Sequence, residues 1–569
     1  SCAESCARWP WLEEEKMPAP KGNRKMERKP MESAADFATS IGKFYVQAVT
    51  QPMTALGGSL AASQEMLKSL VGQSGIEADK SDKRFKDPVW TSNPGYRFLM
   101  QSYLAWSGTI TTWVNSLDVP ERDKLRVKLL ANLVIDALAP TNALLTNPTA
   151  MKATLDAGGK NLVDGLQHFV HDMTANNGLP SVVDKSKFRL GENVATSEGK
   201  VVYAEDHLEL IQYAPKTAEV WKVPVFIVPP QINKFYIWDL APGRSIVEHL
   251  VGQGHQVFVV SWRNPSDAQA DWDLESYVLA LDRASAAACE IAGSETLNMV
   301  GACSGGITTA LLIALWGARG TKRAESFSLL VAIIDVEGSA DTSLGLFANI
   351  EVLELAKLFS RSKGVLEGRD LERAFAWLRP NDLIWAYWVN NYLLGQEPQA
   401  FDILYWNSDT TNLPAGLHGD LLDLLKHGGM VGGNGPTICG HKLDLAQITC
   451  DTYLVGGETD HITPWKGTYL TTDGLGGNWQ YVLSQSGHIQ SLINPPGNPR
   501  ARFLTNAANP PTADAFLAGA ETHQGSWWPH WAEWLDAHGG AKVAAPTTLG
   551  SKQHKPSTDA PGTYVLATA

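Results

Sequence analysis

Short apolar runs rich in β-branched residues recur along the second part of the chain, at 201–203, 208–213, 223–228, 256–260, 297–300 and 329–334. Segments of helical length, 273–291 and 307–319, lie between the later runs. Strands that alternate with helices predict βαβ units and a mostly parallel sheet. The first two runs, joined by a short acidic turn, predict a hairpin. Two further strands are predicted at 452–455 and 480–483. Between 338 and 445 the alternation stops, and a Trp- and Leu-rich stretch reads as a cap inserted into the sheet domain.

Before residue 200 the period changes from two to between three and four. Tyr96, Phe98, Leu99, Met100, Tyr103, Leu104 and Trp106 recur at helical spacings. Leu125, Val127, Leu129, Leu130, Leu133, Val134 and Leu138 repeat the habit, and Pro120 stands before a charged first turn, as suits a helix start. These helices are expected to form a bundle with the apolar face inward. Residues 1–33 are mixed in charge and without period, and are read as a disordered tail or as sequence upstream of the true start. The expected division is therefore a tail at 1–33, a helical region at 34–195 and an α/β domain at 196–569 with its cap at 338–445.

Composition narrows the function without choosing it. The chain has 569 residues and a net charge of -13, which argues against a general nucleic-acid binder. Its six cysteines are irregularly spaced and too few for a disulfide framework, which favours a reducing, cytoplasmic setting. The longest apolar stretch, 307–318, falls short of the ~20 residues that span a bilayer, so no transmembrane insertion is expected. No metal-ligating cluster is visible, and none is expected.

One segment carries chemistry. The predicted strand at 297–300 runs into Gly301-Ala302-Cys303-Ser304-Gly305-Gly306, and a helix follows. Strand, tight turn and helix, with glycine on both sides of a nucleophile, is the form of a nucleophile elbow. Small neighbours let strand and helix approach closely, and the helix N-terminus offers N–H groups to an oxyanion. A second register makes Ser304 the nucleophile. A dinucleotide fold is the competing reading, but G-x-G-x-x-G spacing is absent. An elbow needs an acid and then a histidine later in the chain. Asp460 follows the strand at 452–455, and His488 follows the strand at 480–483. Asp335, Glu458 and His461 are their rivals, and His461 is also a candidate for a supporting contact. Backbone N–H groups of Ser304 and Ile232 are candidates for the oxyanion hole.

With these residues in view, the sequence resembles the polyhydroxyalkanoate synthases, over roughly 84–563. The stretches that carry the resemblance include Pro229-Pro230-Gln231-Ile232-Asn233-Lys234, Ser261-Trp262-Arg263-Asn264-Pro265, Gly301-Ala302-Cys303-Ser304-Gly305-Gly306, Arg379-Pro380-Asn381-Asp382-Leu383-Ile384-Trp385, Asp460-His461-Ile462-Thr463-Pro464 and Ser486-Gly487-His488-Ile489-Gln490. The match is nearest to the class II enzymes of medium chain length. The resemblance implies an α/β-hydrolase fold with a cap, and a cysteine nucleophile that aligns with Cys303. The family acid and histidine align with Asp460 and His488.

It further implies polymerisation of (R)-3-hydroxyacyl-CoA into polyester. Coenzyme A is then part of the substrate and is released, so no cofactor is expected. A homodimer on cytoplasmic polyester granules, in contact with the growing chain, is the implied assembly. Trp385, Tyr387, Trp388, Tyr392, Tyr405 and Trp406 are candidates for a substrate channel in the cap. Two other classes compete: a thioesterase or depolymerase of the same fold, and a granule-binding protein without catalysis.

Overall fold

The computed structural model describes residues 52–335, 345 and 350–568. The predicted tail at 1–33 lies outside the described residues, as does the start of the cap at 336–344. Ten strands form the main sheet among the described residues. In chain order they are β1 (Gly199–Ala204), β2 (Leu208–Tyr213), β3 (Val225–Val228), β4 (Val257–Trp262), β5 (Leu297–Ala302), β6 (Ala324–Leu330), β7 (Asp451–Gly457), β8 (Trp479–Ser484), β9 (Arg502–Thr505) and β10 (Glu521–Gln524). Their spatial order is β1-β2-β4-β3-β5-β6-β7-β8-β9-β10. The six strands from β4 to β8 in that order run parallel. The antiparallel pairs β1–β2, β2–β4, β8–β9 and β9–β10 complete the two sides.

Strand β3 and most of β4 read as apolar runs because both faces are covered. Phe226 and Val228 enter one core, whereas Val225 and Ile227 enter the other. Helices α6 (Leu274–Ala292) and α7 (Cys303–Ala318) cover the first face, and α5 (Ile246–Gly252) and α12 (Trp528–Ala537) cover the second. The expected strand at 329–334 sits earlier, at Ala324–Leu330. Its polar residues hide it from an apolar pattern: Ser326 donates to Asn298 Oδ1 (2.7 Å), and Ser328 accepts from the Trp531 indole (2.9 Å). Helix α7 starts at Cys303, four residues before the expected 307.

The N-terminal region is helical in its described part: α1 (Pro52–Leu70), α2 (Pro94–Asn115), α3 (Glu121–Ala137) and α4 (Lys160–Ala175). The inward apolar face expected of α3 is found only in part, with Leu125, Val127, Leu129 and Leu133 half-buried. Leu130, Val134 and Leu138 are exposed, while Asp123, Arg126 and Ile135 are buried. The inner face combines Ile135, which packs in an apolar cluster with Met100 and Tyr103, with polar contacts. Arg126 pairs with Asp123 at 2.7 Å, and Asp136 accepts from Asn381 Nδ2 of the cap at 2.5 Å.

The cap lies between β6 and β7 and includes α8 (Ile350–Lys363), α9 (Gly368–Leu378) and α10 (Ala415–Lys426). Tyr392 donates to buried Asp172 of α4 (2.7 Å), and Trp388 donates its indole N–H to the Asn142 carbonyl (3.0 Å). These contacts fasten the cap to the N-terminal helices. Among the described residues no helix is long and apolar enough to cross a membrane.

Candidate active site

The turn between β5 and α7 holds Cys303 at a φ of 50°, in the left-handed region where a non-glycine residue is strained. The neighbours must be small for that turn to pack. A Cβ on Gly305 would stand 2.4 Å from the Pro229 carbonyl oxygen, and one on Gly301 would stand 2.7 Å from the Gly306 Cα. The turn therefore presents the Cys303 thiol at the C-terminal end of the parallel sheet, where open α/β sheets bind ligands.

The loops after β7 and β8 bring two more groups to the thiol. His488 Nδ1 donates to Asp460 Oδ2 at 2.6 Å, and the imidazole lines the same cavity as Cys303, close enough to feel the thiol electrostatically. Asp460 Oδ1 accepts the N–H groups of Ile462 (2.8 Å) and Thr463 (2.9 Å). Thr463, which the sequence reading passed over, donates its hydroxyl to Asp460 Oδ2 (2.7 Å) and lies 3.1 Å from His488 Nδ1. Burial alone would lower the His488 pKa. The Asp460 charge and hydrogen bond, with Cys303 behind them, reverse that and push it up to about 10. Burial would raise the Asp460 pKa, but His488 and the Thr463 donors hold it below its ordinary value.

The segment that bears His488 is braced from behind. Helix α11 (His488–Leu492) offers the Ser491 and Leu492 carbonyls to the indole N–H groups of Trp527 (2.7 Å) and Trp528 (3.1 Å). The tryptophan cluster near the C-terminal end is core packing in the structure, buried to 1% exposure or less.

Ser304 N–H stands in the first turn of α7, where no carbonyl of the helix can accept from it. Its hydroxyl accepts from the Gln231 backbone N–H (3.3 Å), which ties the elbow to the loop after β3. On that loop Ile232 accepts from Thr411 N–H through its carbonyl (3.1 Å), and its own N–H has no hydrogen-bond partner among the described residues.

A cavity of about 1000 Å³ opens onto Cys303, His488 and Ile232. Tyr405, Trp406 and His461 also line it. Buried His461 Nδ1 has no partner among the described residues, and burial and the nearby Arg379 cation push its imidazole below its ordinary pKa. Trp385 and Trp388 were expected in a channel but do not line this cavity, and neither do Tyr387 and Tyr392. Trp388 packs on Phe169, Trp385 and Tyr392, at the seam between the cap and α4. The sequence reading missed the far wall, where Val565, Leu566 and Thr568 reach the cavity. Among the described residues no cluster of three or more His, Cys, Asp or Glu is placed to hold a metal ion.

Elbow, acid and histidine at successive ends of a parallel sheet define an α/β-hydrolase fold, and the family model of that fold matches residues 224–495. Residues 81–250 match the model of the poly-beta-hydroxybutyrate polymerase (PhaC) N-terminus. Two poly(3-hydroxyalkanoate) polymerases of Ectopseudomonas oleovorans are 45% and 43% identical, each over 93% of this chain and 94% of the relative. The poly(3-hydroxyalkanoate) polymerase subunit PhaC of Cupriavidus necator is 38% identical over 86% of this chain and 83% of its own length. The chain belongs to the poly(3-hydroxyalkanoate) polymerase family.

Proposed function

We propose that this chain polymerises (R)-3-hydroxyacyl-CoA thioesters of medium chain length, with Cys303 as the acyl carrier. The observation that carries the proposal is that Cys303 and His488, the latter bonded to Asp460, line one cavity of about 1000 Å³, large enough for an acyl thioester. His488 takes the Cys303 proton, and the thiolate attacks the acyl carbonyl. The tetrahedral oxyanion is met by the N–H groups of Ser304 and Ile232. Collapse expels CoA as a thiolate, which takes the proton from His488. One thioester replaces another, so the acyl group stays activated. A 3-hydroxyl of a second unit or of the growing chain then attacks the bound thioester. His488 takes the hydroxyl proton, the ester bond forms as the C–S bond to Cys303 breaks, and the Cys303 thiolate takes the proton back from His488, ready for the next thioester. The Asp460 side chain has no exposed surface and does not line the cavity, which supports orientation of His488 over direct contact with the substrate hydroxyl.

The assembly belongs to the same proposal. A polyester surface is the proposed partner of the exposed apolar residues Leu130, Val134 and Leu138, which would place the enzyme on cytoplasmic granules. A second copy of the chain is the proposed partner of Val352, Leu355, Leu358 and Phe359 on α8. Sedimentation of the pure protein tests the dimer.

The test of function supplies (R)-3-hydroxydecanoyl-CoA to pure protein and follows both products. CoA release with insoluble polyester is expected. CoA release with only free hydroxy acid would make the chain a thioesterase. No release would favour a granule-binding protein.

A further inference from the structure

The chain is strongly acidic, yet one wall of the cavity is cationic. Arg369 and Arg373 on α9, Arg379 just beyond it and Lys185 before β1 all line the cavity, against only Glu372 and Asp409 as lining acids. Arg369 and Arg373 stand one turn apart on α9 with Glu372 between them, and Lys185 lines the same cavity near enough to feel that carboxylate. Contacts to two other stretches of chain hold Arg373 and Lys185 there. Arg373 donates to the Asn177 carbonyl (2.9 Å), which joins α9 to the turn after α4. Lys185 donates to the Ser408 carbonyl (3.2 Å). The Arg373–Asp370 approach is loose, at 3.7 Å, and Asp370 does not line the cavity.

We infer that Lys185, Arg369 and Arg373 form a subsite for the phosphate groups of the coenzyme A moiety, on the wall of the cavity that also holds the thiol. The inference rests on the acyl-CoA reading above and adds to it the place where the nucleotide end is held. Guanidinium groups match phosphate oxygens in charge and in fork geometry. Arg379 is set apart from this cluster, since it acts on His461 beside the chemistry. The apolar side of the same helix, Leu371, Phe375 and Ala376, continues along the cavity and offers a surface to the pantetheine arm. A local cationic wall also answers a physical need. Without it, an acidic chain would repel a ligand that carries three phosphate groups.

The test compares two thioesters of the same acyl group, one on coenzyme A and one on pantetheine, which lacks the phosphates of the nucleotide end. The readout is the ratio of kcat/KM for the CoA thioester over the pantetheine thioester. In the double variant Arg369→Gln with Arg373→Gln this ratio is expected to fall about tenfold, the size expected for exposed charge-assisted contacts. Raised salt is expected to lower the ratio in the unsubstituted enzyme and to have a weaker effect in the variant. The control is Lys363→Gln, which removes a lysine paired with Glu367 (2.9 Å) and Asp370 (3.2 Å) outside the cavity and leaves the ratio as it was. Because both substrates are read on one preparation, partial misfolding cancels. An unaltered ratio in the double variant overturns the subsite alone. Failure of the unsubstituted enzyme to turn over either thioester overturns the acyl-CoA reading and the subsite with it.

Discussion

Asp460→Asn perturbs the site at a single oxygen. In the structure Oδ1 accepts from two backbone N–H groups and Oδ2 accepts from His488 and the Thr463 hydroxyl. An Asn can keep the first pair by placing its carbonyl at Oδ1. Its NH₂ then occupies the Oδ2 position and faces His488 Nδ1 with a donor. The imidazole relaxes to the other tautomer, with its proton on Nε2 toward Cys303, and no longer accepts the thiol proton. A serine protease with the same substitution loses about 10⁴ in kcat for this reason, and a loss of about 10³–10⁴ is expected here. The charge that holds the His488 pKa at about 10 disappears as well. The sign of the stability effect follows. A group raised in the folded state stabilises fully below its unfolded value, near 6.5, and loses that contribution as pH rises toward 10. The unsubstituted protein is therefore expected to lose stability between those limits, and the variant is expected to show a flatter slope. The assays are CoA release under saturating substrate and denaturant unfolding at several pH values. Activity within tenfold of the unsubstituted enzyme would refute the orienting role. A full burst of the first CoA followed by arrest would assign Asp460 to the substrate hydroxyl instead.

Gly305→Ala would drive a Cβ to 2.5 Å from the Val228 carbonyl oxygen and 2.4 Å from that of Pro229. The loop after β3 cannot give way without moving Ile232, so a fall in thermal midpoint together with a loss of kcat is expected; retention of both would mean that the elbow packs otherwise. Trp388→Phe removes the indole donor to Asn142 while keeping a ring against Phe169. A stability loss of about 1 kcal/mol is expected, read from denaturant unfolding, and kcat/KM is expected to hold; a large shift in chain-length preference would return Trp388 to the substrate channel.

The central sheet was legible because its chemistry is one-dimensional. A strand buried on both faces is apolar wherever its side chains lack a polar partner, and β3 and most of β4 show that directly. The elbow was legible for a similar reason, since Gly301, Gly305 and Gly306 answer to contacts of a few ångströms around one turn. Asp460 and His488 could be placed because they directly follow strands. The features that stayed hidden depend on distant partners. Strands β9 and β10 are short and lie at one side of the sheet, with exposed polar residues such as Glu521 and Thr522, so periodicity does not mark them. The outward apolar stripe of α3 was misread because its inner face is satisfied by an ion pair and by Asn381, about 245 residues away in sequence. Trp388 belongs to the cap in sequence but packs on Phe169 of α4, and Trp385 packs on Trp388. Thr463 gives no sign of its role in the sequence, because a threonine carries no signal until its acid partner is in place.

Acid-quenched turnover followed by digestion and mass spectrometry reads the acyl carrier directly. The 3-hydroxyacyl mass is expected on the peptide that contains Cys303, and fragmentation should place it on the sulfur. Hydroxylamine should remove it, as it does a thioester. An adduct on Ser304, or steady CoA release with no adduct on Cys303 at any quench time, would contradict covalent catalysis by Cys303.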